Sequence, residues 1–212
     1  MGWWTFLKGL WLFLKVAIDP TNTRAATDGT VYVNVPVLPL IRRRFERDAT
    51  GRRLLAERPR LDRPTIDFSA LAALPTGTLG RAFADFYTDR GLDPDALQDL
   101  PPGVHGDEAY VALRLRQSHD LWHIVTGIGT DLTGEIELQA FTFGQLRTPS
   151  SLLLGFGGAL QRNGKYPGLF FRALHAYRRG RRAAFFATVA WEDLFTFPLA
   201  EVQVKLLVQG EE

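Results

Sequence analysis

The forty residues from 107 to 146 read DEAYVALRLRQSHDLWHIVTGIGTDLTGEIELQAFTFGQL. The first half, from Asp107 to about Thr126, contains no Gly or Pro and opens on Asp107 and Glu108, where a helix dipole favours carboxylates. Gly127 and Gly129 then permit the backbone angles of a turn, and from Leu132 apolar residues recur again at helical spacing. The pattern predicts two helices, 107–126 and 132–146, joined by a chain reversal.

Helical patterning continues on both sides. Downstream it predicts helices over 151–161, 167–178 and 183–207, the last bent or split at Pro198. Upstream, Leu79, Phe83, Phe86 and Tyr87 form a stripe ended by Gly91, and Asp93-Pro94 with Pro101-Pro102-Gly103 bracket a short link. Residues 57–75 read as a connecting segment whose helix covers 68–74. The run Arg42-Arg43-Arg44, with Arg47, Arg52 and Arg53, predicts a solvated helix face; an anionic-lipid or acidic-partner patch is the other reading. Thr30 to Val35 reads as a short extended segment, ended by Pro36 and Pro39. With no strand-rich half and no internal repeat, the expected fold class is all-α, an irregular helical bundle with one extended segment near 30–35.

At 212 residues, against roughly 150 per domain, the chain predicts one domain, 1–212. Hydrophobic residues make up 46% and charged residues 23%, which excludes a disordered chain. Twenty-five basic against 23 acidic residues gives a net charge of +2, too small to argue for a nucleic-acid partner. The absence of cysteine excludes disulfides, thiolate catalysis and Cys-ligated metals, so any metal must use His and carboxylates. The segment from Trp3 to Ile18 lacks a basic leader and a cleavage site, and Lys8 and Lys15 interrupt it before the roughly 20 apolar residues of a membrane span accumulate. Trp3, Trp4, Trp11 and the two lysines suit a helix lying on the core or at a membrane interface.

Chemistry concentrates in His119-Asp120-Leu121-Trp122-His123. A spacing of four puts both imidazoles on one helical face, able to ligate one ion. Asp120 sits one turn before His123 and can be a ligand, an outer partner or a base. Glu135, on a straight helix, would lie about 18 Å beyond His123; the glycine reversal can return it to the site, while Asp131 suits a cap of the second helix. Ala112 and Leu115 share the face of the histidines, so that face should be buried, where two imidazoles and two acids need a satisfying partner such as a cation. Hydrogen-bonded core histidines are the plainer alternative. The donor set suits a divalent metal: zinc first, with iron or manganese also compatible. A metalloprotease would need Glu where Asp120 stands. An HD-type phosphohydrolase would need further ligands, for which His105 and Asp193 are available. A bundle-borne metal site acting on a lipid-like substrate fits the rest of the chain better.

Tyr110 through Phe141, with Arg114, Arg116, His119-Asp120-x-x-His123, Gly127 and Gly134-Glu135, resembles the fourth protein of the coenzyme Q biosynthesis series, the Coq-four family, whose hallmark is H-D-x-x-H followed by Glu after eleven residues. Leu79-Gly80-Arg81, Gly180-Arg181-Arg182-Ala183, Trp191-Glu192 and Pro198-Leu199 extend the similarity over 78–207. The chain departs from the pattern at Gln117 and Thr142, where acids are expected, and in 1–77, where Asn22-Thr23-Arg24 follows the Asp-Pro.

The resemblance implies a role in ubiquinone biosynthesis: metal-dependent oxidative decarboxylation of a polyprenyl-hydroxybenzoate intermediate, the ring carboxylate giving way to a hydroxyl, with a non-catalytic lipid-binding scaffold as the alternative. It gives His119, Asp120, His123 and Glu135 the ligand and catalytic roles. It also implies a peripheral position on the inner, cytoplasmic membrane face. The expected partners are a polyprenylated quinone precursor, the lipid surface and other quinone-biosynthesis proteins, with a homodimer allowed. The stretch from Leu152 to Gly158 is the candidate groove for an isoprenoid tail, and Arg181 and Arg182 are candidates for an anionic group.

Overall fold

The computed structural model describes residues 7–8, 23–96, 100 and 102–208. The expected helix 3–18 lies almost wholly outside them. The described residues are all-helical, with an isolated bridge between Thr78 and Pro198 in place of any sheet. In chain order the α-helices are α1 (Thr23–Asn34), α2 (Leu38–Arg47), α3 (Ala49–Glu57), α4 (Phe68–Ala72), α5 (Leu79–Arg90), α6 (Gly106–Thr126), α7 (Leu132–Leu146), α8 (Pro149–Leu152), α9 (Gly158–Arg162), α10 (Leu169–Arg182) and α11 (Leu199–Leu207).

The centre is α6, about 31 Å long at 1.5 Å per residue. It is buried on several sides: Val111, Leu121 and Val125 are fully inaccessible, and Trp122 is nearly so. Trp122, Phe141 of α7 and Phe186 meet edge-on at centroid distances of 5.2–6.3 Å, tying α6 and α7 to the C-terminal segment. The buried guanidinium of Arg114 reaches the same segment, donating to both carboxylate oxygens of Glu192 and to the Val189 carbonyl. Against the outer side of α7 runs α10, held by the Arg172–Glu137 ion pair and the stacking of Phe143 on Tyr177.

Two expectations are corrected. Residues 30–35 are not extended: α1 continues to Asn34 and a 3₁₀ turn follows. Val31, Tyr32 and Val33 are all buried, so packing on more than one side overrides the strand preference of β-branched residues. Pro36 and Pro39 stand in the first turns of the helices they begin, where no N–H is required of them. Nor do residues 183–198 form a helix. At Ala183 the chain turns extended and continues through 3₁₀ turns at Phe186–Thr188 and Trp191–Leu194. Its backbone groups find tertiary partners instead: Phe186 N–H donates to Gln145, Ala184 N–H to the Leu206 carbonyl, and the carbonyls of Phe195 and Phe197 accept from Gly80 and Leu79. The expected helix 151–161 begins at Pro149 and carries a π turn over Leu153–Gly157, and the helix expected over 167–178 spans Leu169–Arg182.

Candidate metal centre

Everything that positions the site acts at the C-terminal end of α6. Gly127 takes the left-handed conformation (φ 69°) that ends the helix, and its N–H returns to the His123 carbonyl. The neighbouring carbonyls are met by side chains, that of Val125 by Gln203, Thr126 by Arg179 and Trp122 by the Thr126 hydroxyl. Asp131 caps α7 by accepting from Gly134 N–H at 2.7 Å, the role its position predicted. Gly134 lets the loop lie against the first turn of α7, since a Cβ there would stand 1.9 Å from the Gly129 carbonyl oxygen. The reversal therefore places Glu135 beside both histidines.

His119, His123 and Glu135 offer ligand atoms all within 4.8 Å of one another. Glu135 Oε1 lies 3.1 Å from His123 Nε2, and Oε2 lies 3.5 Å from His119 Nε2. The imidazoles stand edge to face, centroids 4.9 Å apart. His123 is buried, and its Nδ1 faces the Ile128 carbonyl oxygen at 3.0 Å. A carbonyl only accepts, so Nδ1 donates its proton there, and in the neutral imidazole Nε2 is then the nitrogen with the free lone pair. That Nε2 has no hydrogen-bond partner and points toward a carboxylate. Two acceptors this close require a cation or a proton between them, and a backbone carbonyl fixing the outer nitrogen of a ligating histidine is the usual support for a metal. The three residues fit a divalent ion with positions left for other ligands.

Burial alone would lower the His119 pKa, but the contact with Glu135 outweighs it and raises the value. Burial alone would raise Glu135, but the two histidines outweigh it and hold its carboxyl at about 2. Both shifts express one attraction in the metal-free site.

Asp120 stands apart from this group. Its Oδ2 accepts a 2.7 Å hydrogen bond from the hydroxyl of Tyr87 on α5, a ring packed among Phe68, Phe83 and Phe86. Burial, then the Asp120 charge, pushes the Tyr87 pKa far above its ordinary value, so the phenol stays a donor. Neither His105 nor Asp193 joins the site; Asp193 pairs with Arg53.

A cavity of about 850 Å³ opens on His119 and Glu135 and extends between α1, α6 and α7. Leu115, Arg116, His119, Asp120, Glu135 and Thr142 belong to its wall. Its volume is in the range of cofactor-sized and drug-sized ligand sites. The Leu152–Gly158 stretch does not line it; there Gly155 packs on the backbone of Ala140. Sequence spacing missed Tyr87, which it counted in the apolar stripe of α5. A tyrosine in such a stripe needs a partner for its hydroxyl, and that need was the available signal.

These features define a class: an all-helical protein carrying a His–His–Glu metal-type site on the wall of a ligand-sized cavity. Residues 13–211 match the family model described as Coenzyme Q (ubiquinone) biosynthesis protein Coq4, and the chain belongs to that family. The mitochondrial ubiquinone biosynthesis protein coq-4 of Caenorhabditis elegans is 36% identical over 173 residues, covering 81% of this chain and 75% of the nematode protein. Its counterpart in Danio rerio is 31% identical over 171 residues, covering 80% of this chain and 63% of that protein. A crystal structure from Nostoc punctiforme, provisionally described as a ubiquinone biosynthesis protein, superimposes with a TM-score of 0.77 at 25% identity, covering 96% of this chain and 98% of the other.

Proposed function

We propose that this protein acts in ubiquinone biosynthesis as a metal-dependent oxidative decarboxylase: with dioxygen as oxidant and two electrons from an external reductant, the ring carboxylate of a polyprenyl-hydroxybenzoate intermediate leaves as carbon dioxide, a hydroxyl takes its place, and the second oxygen atom leaves as water. The observation that carries the reading is His123, whose Nδ1 is held by the Ile128 carbonyl and whose Nε2 lies 3.1 Å from Glu135, a residue of the cavity wall. His119, His123 and Glu135 would hold the ion, with zinc the first candidate and iron or manganese compatible; bound there, it would supply a Lewis acid for an anionic oxygen. Arg116, one turn before His119 on the cavity wall and 3.8 Å from Asp28, would exchange part of that pairing for the substrate's carboxylate. Asp120, oriented by Tyr87, would accept or return a proton beside the ion, and the aliphatic walls would receive the first units of the tail.

The same reading places the protein against the inner, cytoplasmic membrane face, where a prenylated substrate resides, beside other enzymes of the pathway. Among the described residues no helix is long and apolar enough to cross a membrane, and the relatives named above from animals are mitochondrial proteins. The test is turnover of a short-chain prenyl-hydroxybenzoate under air with an added reductant, followed by mass spectrometry. Product that disappears on chelation and returns with metal, while the helical circular-dichroism signal persists, supports catalysis. Substrate bound tightly but unchanged under every metal supports the scaffold instead.

A further inference from the structure

The chain's small net charge conceals an uneven distribution. Residues 138–191 contain eight Arg or Lys and no Asp or Glu, leaving 17 basic and 23 acidic side chains for the rest. Within this stretch α8, the π turn and α9 run out to a loop at 163–168, and α10 returns. On the outer face of α10, Phe171, His175, Arg178 and Arg182 follow one another at spacings of four, three and four, and all are exposed. Arg42, Arg53 and Arg58, in the other arginine-rich region, are paired with carboxylates. Among the described residues no carboxylate pairs with Arg178 or Arg182.

The hairpin end is also where large apolar side chains face water. Leu160 is 71% exposed and Phe171 74% exposed, with Arg162 and Lys165 between them in the sequence. The two sides of the hairpin are joined underneath by Phe156 against Phe170, the neighbour of Phe171. Exposed Leu and Phe beside cations, in a stretch of sequence without acids where Glu137 of α7, a carboxylate that reaches α10, is already paired with Arg172, match an interface that is apolar in depth and anionic at its surface. An acidic protein surface would satisfy the arginines and leave the apolar tips unserved.

We propose that the hairpin α8–α10 is the surface with which this protein docks on an anionic lipid bilayer. Leu160 and Phe171 enter the headgroup layer, while Arg162, Lys165, Arg178 and Arg182 meet lipid phosphates. This deepens the membrane-surface reading given above and rests on it for the kind of partner. Between the docking surface and the cavity stand α10 and α7, since α7 presents Glu135 and Thr142 to the cavity and Glu137 and Phe143 to α10.

The experiment is vesicle co-sedimentation of the full chain, with phosphatidylcholine alone and with roughly one-third phosphatidylglycerol. The wild type is expected to bind the anionic vesicles at least about tenfold more tightly and to be released by salt. The variants Leu160→Ser/Phe171→Ser and Arg178→Glu/Arg182→Glu should each lose about tenfold or more, with unchanged melting temperatures because all four positions face solvent. Arg43→Glu/Arg47→Glu, on the exposed side of α2, should bind like the wild type. Hairpin variants that bind as well as wild type would move docking to another surface, and equal loss in the α2 variant would reduce the effect to net charge; either overturns the proposal. A wild-type dimer that Leu160→Ser/Phe171→Ser dissociates, with vesicle binding intact, would make a second copy the occupant. A wild type that binds no vesicle would overturn this proposal and the membrane-surface reading together, leaving the metal reading untouched.

Discussion

Tyr87→Phe removes a single oxygen from the hydrogen bond that orients Asp120. The ring stays packed, since its contacts with Phe68, Phe83 and Phe86, at centroid distances of 5.3–6.0 Å, do not use the hydroxyl. What is lost is one 2.7 Å hydrogen bond to a carboxylate. Bonds to charged groups contribute ~1.5–3 kcal/mol. Asp120 is partly exposed and water replaces some of that, which leaves about 1–2 kcal/mol. For a chain of this length ~1 kcal/mol corresponds to about 2–4 °C, so the variant should melt about 2–8 °C lower. In a double-mutant cycle with Asp120→Asn the two changes should be non-additive by about 1 kcal/mol or more, measured by denaturant titration. Neither variant should empty the proposed metal site, because the candidate ligand group is His119, His123 and Glu135. A Tyr87→Phe protein that melts with the wild type, or whose loss persists undiminished in the Asp120→Asn background, would refute the coupling; loss of metal in Asp120→Asn would put that carboxylate among the ligands.

Three further outcomes follow from the same geometry. Arg114→Met strands Glu192 in a largely buried position; breaking such pairs costs ~3–5 kcal/mol, discounted to about 2–4 because Glu192 keeps some solvent contact, and denaturant titration reads it directly. Gly134→Ala puts a methyl 1.9 Å from the Gly129 carbonyl oxygen, so the loop must shift and metal affinity should fall at least about tenfold, measured by competition with a chromogenic chelator. The metal-free protein should be most stable between about pH 4.5 and 6.5: the contribution of Glu135, whose pKa is depressed to about 2, fades as pH falls below 4.5, and that of His119, whose pKa is raised, fades as pH climbs through its folded value. Metal needs unprotonated imidazoles, so the added stability from zinc should instead grow with pH above 6.5. Melting scans across pH with chelator and with zinc separate the two trends.

The features of this fold that were legible in the sequence are those fixed by local chemistry. The bounds of α7 at Leu132 and Leu146, the stop at Gly127 and the cap at Asp131 follow from glycine conformations, capping side chains and helical spacing, all of which act within a few residues. The return of Glu135 to His123 was legible for the same reason, because one short reversal determines it. Residues 30–35 and 183–198 were misread because their conformations are decided by distant partners: Val33 by burial in the core, Phe186 by a hydrogen bond to Gln145. The pairs Tyr87–Asp120 and Arg114–Glu192 bridge 33 and 78 positions, and no periodicity encodes which polar groups meet across such distances. The cavity, likewise, is a property of how α1, α6 and α7 pack.

Metal analysis of the purified wild type beside Glu135→Ala, with bound lipids extracted from the same samples and identified by mass, decides whether His119, His123 and Glu135 hold a metal. About one divalent ion per chain is expected in the wild type, lost in the variant, together with a prenylated aromatic acid as the bound lipid. A metal-free wild type, indistinguishable from Glu135→Ala even after incubation with zinc, iron or manganese, would contradict this assignment and return His119, His123 and Glu135 to the role of core structure.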